Sequence, residues 1–420
     1  MNGRKLWFKF TGIVIIGLFL TGLVIVILQI PAIQERLTWR LEVASTYLRS
    51  AVQPAGALPT ALPTAPSVKT DTPLPSATPT QPAAATPPTA FSPNPTFSPT
   101  PIPERVVLDP PGYEKQKPNN CGPATFSMYL RYYGWKGDQS TISEVIKPLS
   151  ADRNVNVEEL IYYASNHAGW LKSEYRVSGD VDLLRHLLAA GIPVVIEESS
   201  RVDQQFARAD DDFWDGHYLL ITGYDDSAQV FITQDTYREP NLEVSYTEQD
   251  KRWQPFNRVY ILLFTPDQSS TVQAILGSDW DGKTNRQNAL DKAQAETQSD
   301  PKNAFGWFNL GSNLVYFERY TEAALAYDSA RKIGLPQRML RYQFGPFLAY
   351  FHSGRTEDLL ALTQYALKIT DNSEEAWLWQ GWALYRMGKK LEAVDAFNKA
   401  LTYHPGYQDA LYALKFAQSN

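Results

Sequence analysis

The chain is poor in the residues that staple or metallate a protein. Among 420 residues there is one cysteine, so no intrachain disulfide can form. There are five histidines, none in an HxxxH or HxxE arrangement with nearby acids, which argues against a metal site. Basic residues do not exceed acidic ones: the formal net charge is −6, which argues against a nucleic-acid partner. No cofactor fingerprint is present. The length allows two or three domains, and the 44% apolar content is enough for real cores.

The lone cysteine has a context. Asn120 stands where a helix N-cap would stand before Cys121-Gly122-Pro123-Ala124. Ala124, Met128 and Tyr132 then follow helical spacing, and Gly134 supplies a stop. Pro123 is tolerable there, because first-turn N–H groups have no helical partner. Cys121 is thus expected to open a helix, where the dipole favours thiolate.

A nucleophile needs a base, and the base needs an orienter. His217 begins the apolar run His217 to Tyr224, Asp225 to Ala228 reads as a turn, and Gln229 to Asp235 reads as the return strand. A hairpin centred on Asp226 would put His217 directly opposite Asp235. That register needs an odd loop. An even loop would send the two side chains to opposite faces unless a bulge corrected it.

Gln116, Asn120 to Ala124, Gly216-His217-Tyr218 with Thr222-Gly223-Tyr224, and Gln234-Asp235 resemble the bacteriocin-processing (double-glycine) peptidase family, in its stand-alone exported branch. The resemblance covers residues 105–266 and implies an α+β papain-like cysteine peptidase domain. It implies Cys121 as nucleophile, His217 as base, Asp235 as orienter and Gln116 as oxyanion-hole donor. In one respect the chain departs from the family, which usually places its Gln one residue further upstream of the Cys. Transporter-linked members of the family process peptides, and no transporter is encoded here.

The rest of the chain reads as modules. Leu6 to Ile30 is apolar, with no charge after Lys9, and long enough to cross a membrane. Its end, Leu28-Gln29-Ile30-Pro31, favours an uncleaved anchor (residues 1–30) over a signal peptide. Residues 31–52 read as a juxtamembrane helix, either lying on the membrane, pairing with a copy, or extending the anchor. Residues 53–103 are rich in Pro, Thr, Ala and Ser and are expected to be a disordered tether, reaching on the order of 100 Å. Such a tether suits the cell exterior, so the C-terminal domains are expected outside. The peptidase-like domain spans 104–266. Within it, Asn156 with Glu159 forms a capping-box pattern, and Ser199 to Gly216 is expected to be a polar loop at the cleft rim.

From about residue 280 to 420 the chain repeats itself. Trp307, Leu310, Gly311, Leu314, Ala323, Tyr327 and Ala330 recur as Trp377, Gln380, Gly381, Leu384, Ala393, Phe397 and Ala400. Both sets resemble the tetratricopeptide repeat and imply an all-α solenoid, with a divergent repeat near Pro336 to Thr370. The expected function is a membrane-anchored, outward-facing cysteine peptidase acting on peptides or proteins, with a protein partner on the repeats. Amidase or transglutaminase-type acyl transfer would use the same groups. The competing expectation is a non-catalytic peptide-binding adaptor that scaffolds an envelope complex.

Overall fold

The structure is a computed structural model that describes Pro59 and residues 102–109, 111–147, 155–199 and 214–419. The expected anchor and juxtamembrane helix lie outside the described residues, as does nearly all of the tether. No helix among the described residues is long and apolar enough to cross a membrane.

The first half is a helix-flanked antiparallel sheet. Its strands are β1 (Arg105–Val107), β2 (Lys172–Arg176), β3 (Val194–Ser199), β4 (Gly216–Asp225), β5 (Val230–Gln234), β6 (Leu242–Ser245) and β7 (Tyr260–Phe264). They form one seven-stranded sheet in the order β2-β7-β3-β4-β5-β6, with β1 paired to the far half of β4. β3, β4 and β7 are buried almost throughout, because both sheet faces are covered. On one face lie α1 (Cys121–Tyr132), α2 (Gln139–Ile146) and α3 (Val157–His167). On the other lie α4 (Val181–Ala189), α5 (Tyr246–Trp253) and α6 (Ser269–Leu276).

Local chemistry explains the boundaries. α1 ends before Gly134, whose φ of +87° suits glycine. At the start of α3 the Asn156 N–H donates to the Glu159 carboxylate at 2.7 Å, completing the capping box. Asn120 departs from expectation. It stands at the N-cap position of α1, but its side chain does not cap; Nδ2 donates instead to Gln139 Oε1 at 2.8 Å.

The second half is helical: α7 (Gly282–Ser299), α8 (Ala304–Tyr316), α9 (Tyr320–Ile333), α10 (Gly345–His352), α11 (Thr356–Ile369), α12 (Glu374–Arg386), α13 (Lys390–Tyr403) and α14 (Gln408–Ser419). Small residues permit the close pairings. A Cβ on Gly311 would lie 2.7 Å from the Tyr327 ring, and one on Gly381 would lie 2.4 Å from the Phe397 ring. In the divergent repeat, Gly354 turns the chain at φ +77°, and the first helix, α10, is only eight residues long.

The hydrophobic core does not stop between the halves. One cluster runs from Phe126, Tyr129 and Tyr163 through Trp214, Phe256 and Val259 to Phe308, Tyr327, Met339 and Phe347. Buried amides bond across the same boundary. Asn257 Nδ2 donates to Asn313 Oδ1 at 2.9 Å, and Asn309 Nδ2 to the Gln254 carbonyl at 2.8 Å. Asn285 bonds the Val177 N–H at 3.1 Å and its carbonyl at 3.0 Å.

Candidate active site

Cys121 is the first residue of α1 and is half-buried. The approach to it is held by Gln139 from α2. Gln139 Oε1 accepts from the Lys117 N–H at 2.7 Å and from Asn120 Nδ2 at 2.8 Å. Gln139 Nε2 donates to Glu114 Oε1 and to the Lys115 carbonyl, each at 2.9 Å. The Lys147 ammonium donates to the Asn119 carbonyl. The body of α1 is tied to β4 by Thr125 Oγ1, which donates to the Tyr218 carbonyl at 3.0 Å. The start of α1 is thereby fixed against the start of β4, where His217 sits.

β4 ends at Asp225 and β5 begins at Val230, so the loop is Asp226 to Gln229, four residues long. This corrects the odd loop centred on Asp226. The ladder pairs Asp225 with Val230 and Gly223 with Ile232, then slips, so that Ile221 pairs with Thr233 and Leu220 with Gln234. Thr222 is the extra, bulged residue. The slip reverses the side-chain parity and returns Asp235 to the face that carries Leu219 and His217. Asp235 is the residue just past the last ladder pair, Leu220 with Gln234, so it lies diagonal to His217 rather than opposite it, within reach of long side chains.

The bulge is held from both sides. The Thr222 carbonyl accepts the Leu108 N–H at 2.9 Å, and its hydroxyl accepts from Gln234 Nε2 at 2.9 Å. Next to it, a Cβ on Gly223 would lie 2.5 Å from the Val106 carbonyl oxygen, so β1 can pair there only against glycine.

His217 and Asp235 are buried and joined by a 2.9 Å hydrogen bond from His217 Nε2 to Asp235 Oδ1. That leaves Nδ1 for the Cys121 side, and the two groups act on each other's ionisation. Asp235 Oδ1 also accepts the N–H groups of Tyr237 at 2.8 Å and Arg238 at 3.1 Å. Tyr113 Oη donates to the Asp235 carbonyl at 2.9 Å.

The protonation of the cluster follows. Burial disfavours charge on the Cys121 sulfur, but the hydrogen bond and charge of His217, the Tyr218 backbone and the Lys147 ammonium hold the thiol below its ordinary value. Burial would lower His217, yet the hydrogen bonds to Asp235 and Cys121 and their charges raise it to about 10. Burial would raise Asp235, and the His217 bond and charge with the two backbone N–H groups keep it low. These directions favour the charged form of each group: thiolate, imidazolium and carboxylate.

Gln116 is half-buried beside Asp235. Its N–H donates to the Thr236 carbonyl at 2.9 Å, and its Oε1 accepts from the Thr236 hydroxyl at 2.9 Å. With the oxygen anchored, the amide nitrogen is the end left to donate.

A pocket of about 10 Å³, room for about one water, opens beside Cys121. Of the four expected residues Cys121 alone lines it, with Val155, Glu197, Gly216, Tyr218 and Tyr342 among the others. Glu197 and Glu198 carry a visible signal: two acids directly after the apolar run Val194-Val195-Ile196 in the same strand. Glu197 is buried, and that burial, with the charge on Cys121, raises its carboxyl well above the usual range. Glu198 pairs with His217 in the β3–β4 ladder; burial raises it to about 7 against the charges of His217 and Arg252 and the bond from Gln249. Gln139 and Lys147 gave no signal, and Tyr342 stands in the repeat whose signature has decayed.

Residues 107–261 match the Peptidase_C39 like family, and residues 374–407 match the tetratricopeptide repeat. The chain carries a C39-like peptidase domain followed by tetratricopeptide repeats. Among solved structures it is similar to a C39-like peptidase from Bacillus anthracis, at 16% identity over 38% of this chain and 98% of that one, with a TM-score of 0.31. It is also similar to MamA, at 17% identity over 33% of this chain and 79% of that one, TM-score 0.30. A third is YrrB, a tetratricopeptide-repeat protein with an unusual peptide-binding site, at 21% identity over 36% of this chain and 74% of that one, TM-score 0.29. No curated protein matches.

Proposed function

We propose that the chain is a papain-like cysteine peptidase that cleaves peptide or protein substrates through Cys121, His217 and Asp235. The observation that carries this reading is the 2.9 Å hydrogen bond from His217 to Asp235, with Cys121 and His217 each shifting the other's ionisation toward the charged pair. The Cys121 thiolate attacks the substrate carbonyl carbon, and the carbonyl oxygen takes up the negative charge. Gln116 Nε2 and the Cys121 N–H are the donors assigned to that oxyanion. The imidazolium of His217 gives its proton to the leaving amine as the C–N bond breaks, which leaves a thioester on Cys121. His217 then takes a proton from water, whose oxygen attacks the thioester, and the acid departs as the thiolate re-forms. Asp235 holds the ring with Nε2 turned inward throughout.

The test is labelling of the purified protein by a papain-type thiol-directed inhibitor, then a peptide-substrate screen with Cys121→Ala as control. Specific labelling and Cys121-dependent cleavage support the peptidase. Peptide binding that survives Cys121→Ala, without labelling or cleavage, would replace it with the adaptor.

The anchor and tether read from the sequence complete the proposal: residues 1–30 hold the protein in the cell membrane and the domains beyond residue 103 face outward, where the repeats recruit a protein substrate or partner. Protease added to intact cells is then expected to shed a soluble fragment that begins between Gln53 and Pro103. Protection of that fragment until the membrane is lysed would place the domains in the cytosol.

A further inference from the structure

Tyr342 follows the short helical segment Gln337–Arg341 of the divergent repeat, far from Cys121 in sequence. It nonetheless lines the pocket beside Cys121, the one repeat residue among the described lining residues. Its ring meets Trp214 edge-on at 5.6 Å and Phe256 at 6.3 Å between centroids. Its hydroxyl donates to Asp215 Oδ1 at 3.4 Å, and Arg338 Nη1 approaches the same oxygen at 3.1 Å. Asp215 and Gly216 lead directly into His217. A Cβ on Gly216 would lie 2.9 Å from Phe256 and 3.0 Å from the Tyr342 ring. The strand entry is thus pressed against Tyr342 with no room to spare.

The ring is also fixed from its own side. Gln343 Nε2 donates to the Pro255 carbonyl at 2.8 Å, so the chain just after Tyr342 is pinned to the sheet half. A rigid aromatic packed against Trp214, Phe256 and Gly216, on a water-sized pocket that Cys121 also lines, acts as a wall.

We infer that Tyr342 is a specificity-determining residue: the repeat region completes the Cys121 cleft from within the same chain, and this ring limits by size what reaches the thiol. The inference rests on the peptidase reading for its biological meaning, since a wall matters only if the thiol reacts. It also gives the repeats a second task beside recruitment, because removing them would remove part of the cleft.

The test compares the alkylation rates of Cys121, the only thiol in the full-length chain, by iodoacetamide and by fluorescein maleimide. No turnover is needed, so a protein that ignores papain-type inhibitors still reports on the wall. Tyr342→Ala is expected to raise the ratio of bulky to small reagent by about tenfold or more, the scale on which a pocket discriminates size. Tyr342→Phe keeps the ring and is expected to keep the wild-type ratio. Should Tyr342→Ala fail to fold, Tyr342→Leu, which keeps an apolar side chain but lacks the ring's width, is expected to raise the ratio less. A wild-type ratio in a folded Tyr342→Ala or Tyr342→Leu protein overturns the inference. So does a ratio in Tyr342→Phe that rises as far as in Tyr342→Ala.

Discussion

At the scale of single residues, Cys121 and His217 move each other's protonation in opposite senses, and the consequence is a pH profile. An ordinary thiol ionises near pH 8.5. With Cys121 lowered and His217 raised to about 10, alkylation of Cys121 by iodoacetamide should titrate with a midpoint below that of an ordinary thiol. Stopped-time alkylation from pH 5 to 10 checks this; a midpoint at the free-thiol value would overturn it. Asp235→Ala should move the midpoint up and slow peptide cleavage while leaving labelling detectable. His217→Ala should cost more, because it removes the base itself. Glu198 supplies a second titration with a different sign. Its folded value, about 7, lies above the ordinary carboxyl value of 4.5. The stability this gives is fully present below the unfolded value and is lost as pH rises to about 7. Glu198→Gln, which stays neutral, should flatten that decline; denaturant midpoints at pH 5 and pH 7.5 decide the matter.

At the scale of elements, the β4–β5 hairpin decides whether a site exists at all. The four-residue loop alone would leave His217 and Asp235 on opposite faces, and one bulged residue, Thr222, restores them to one. Deleting Thr222 should therefore abolish thiolate-like alkylation of Cys121, even if the sheet still forms by circular dichroism. Gly223→Ala attacks the same element from β1. Its Cβ would meet the Val106 carbonyl at 2.5 Å, and overpacking against backbone should cost about 1–3 kcal/mol in a denaturant melt. Periodicity and turn composition gave both strands and the pairing partner. The bulge was written nowhere in the local pattern, because it depends on how β1 and Gln234 seize the Thr222 carbonyl and hydroxyl.

At the scale of the whole molecule, the shared core changes what a domain boundary means. Composition and repeats suggest that residues 104–266 can stand alone, yet Phe256 and Val259 belong to the same cluster as Phe308, Tyr327 and Phe347. Each large side chain left uncovered forfeits about 1.5–3 kcal/mol. Asn257 would also lose its Asn313 partner. A fragment of residues 104–266 should accordingly melt earlier than the two halves together, or fail to fold. A fragment that melts as the full chain does would restore the modular view.

The sequence by itself determined the helix that Cys121 opens, the two strands that carry His217 toward Asp235, the capping of α3, the repeat spacing and the small residues that let Gly311 and Gly381 meet aromatic rings. These follow from local periodicity and steric need, which neighbours along the chain encode. Only the tertiary structure decided that Thr222 bulges, that Gln139 holds the approach to Cys121, and that Tyr342 lines the same pocket as Cys121. Each of these depends on groups distant in sequence being pressed together by a common core, and such contacts leave no period to read.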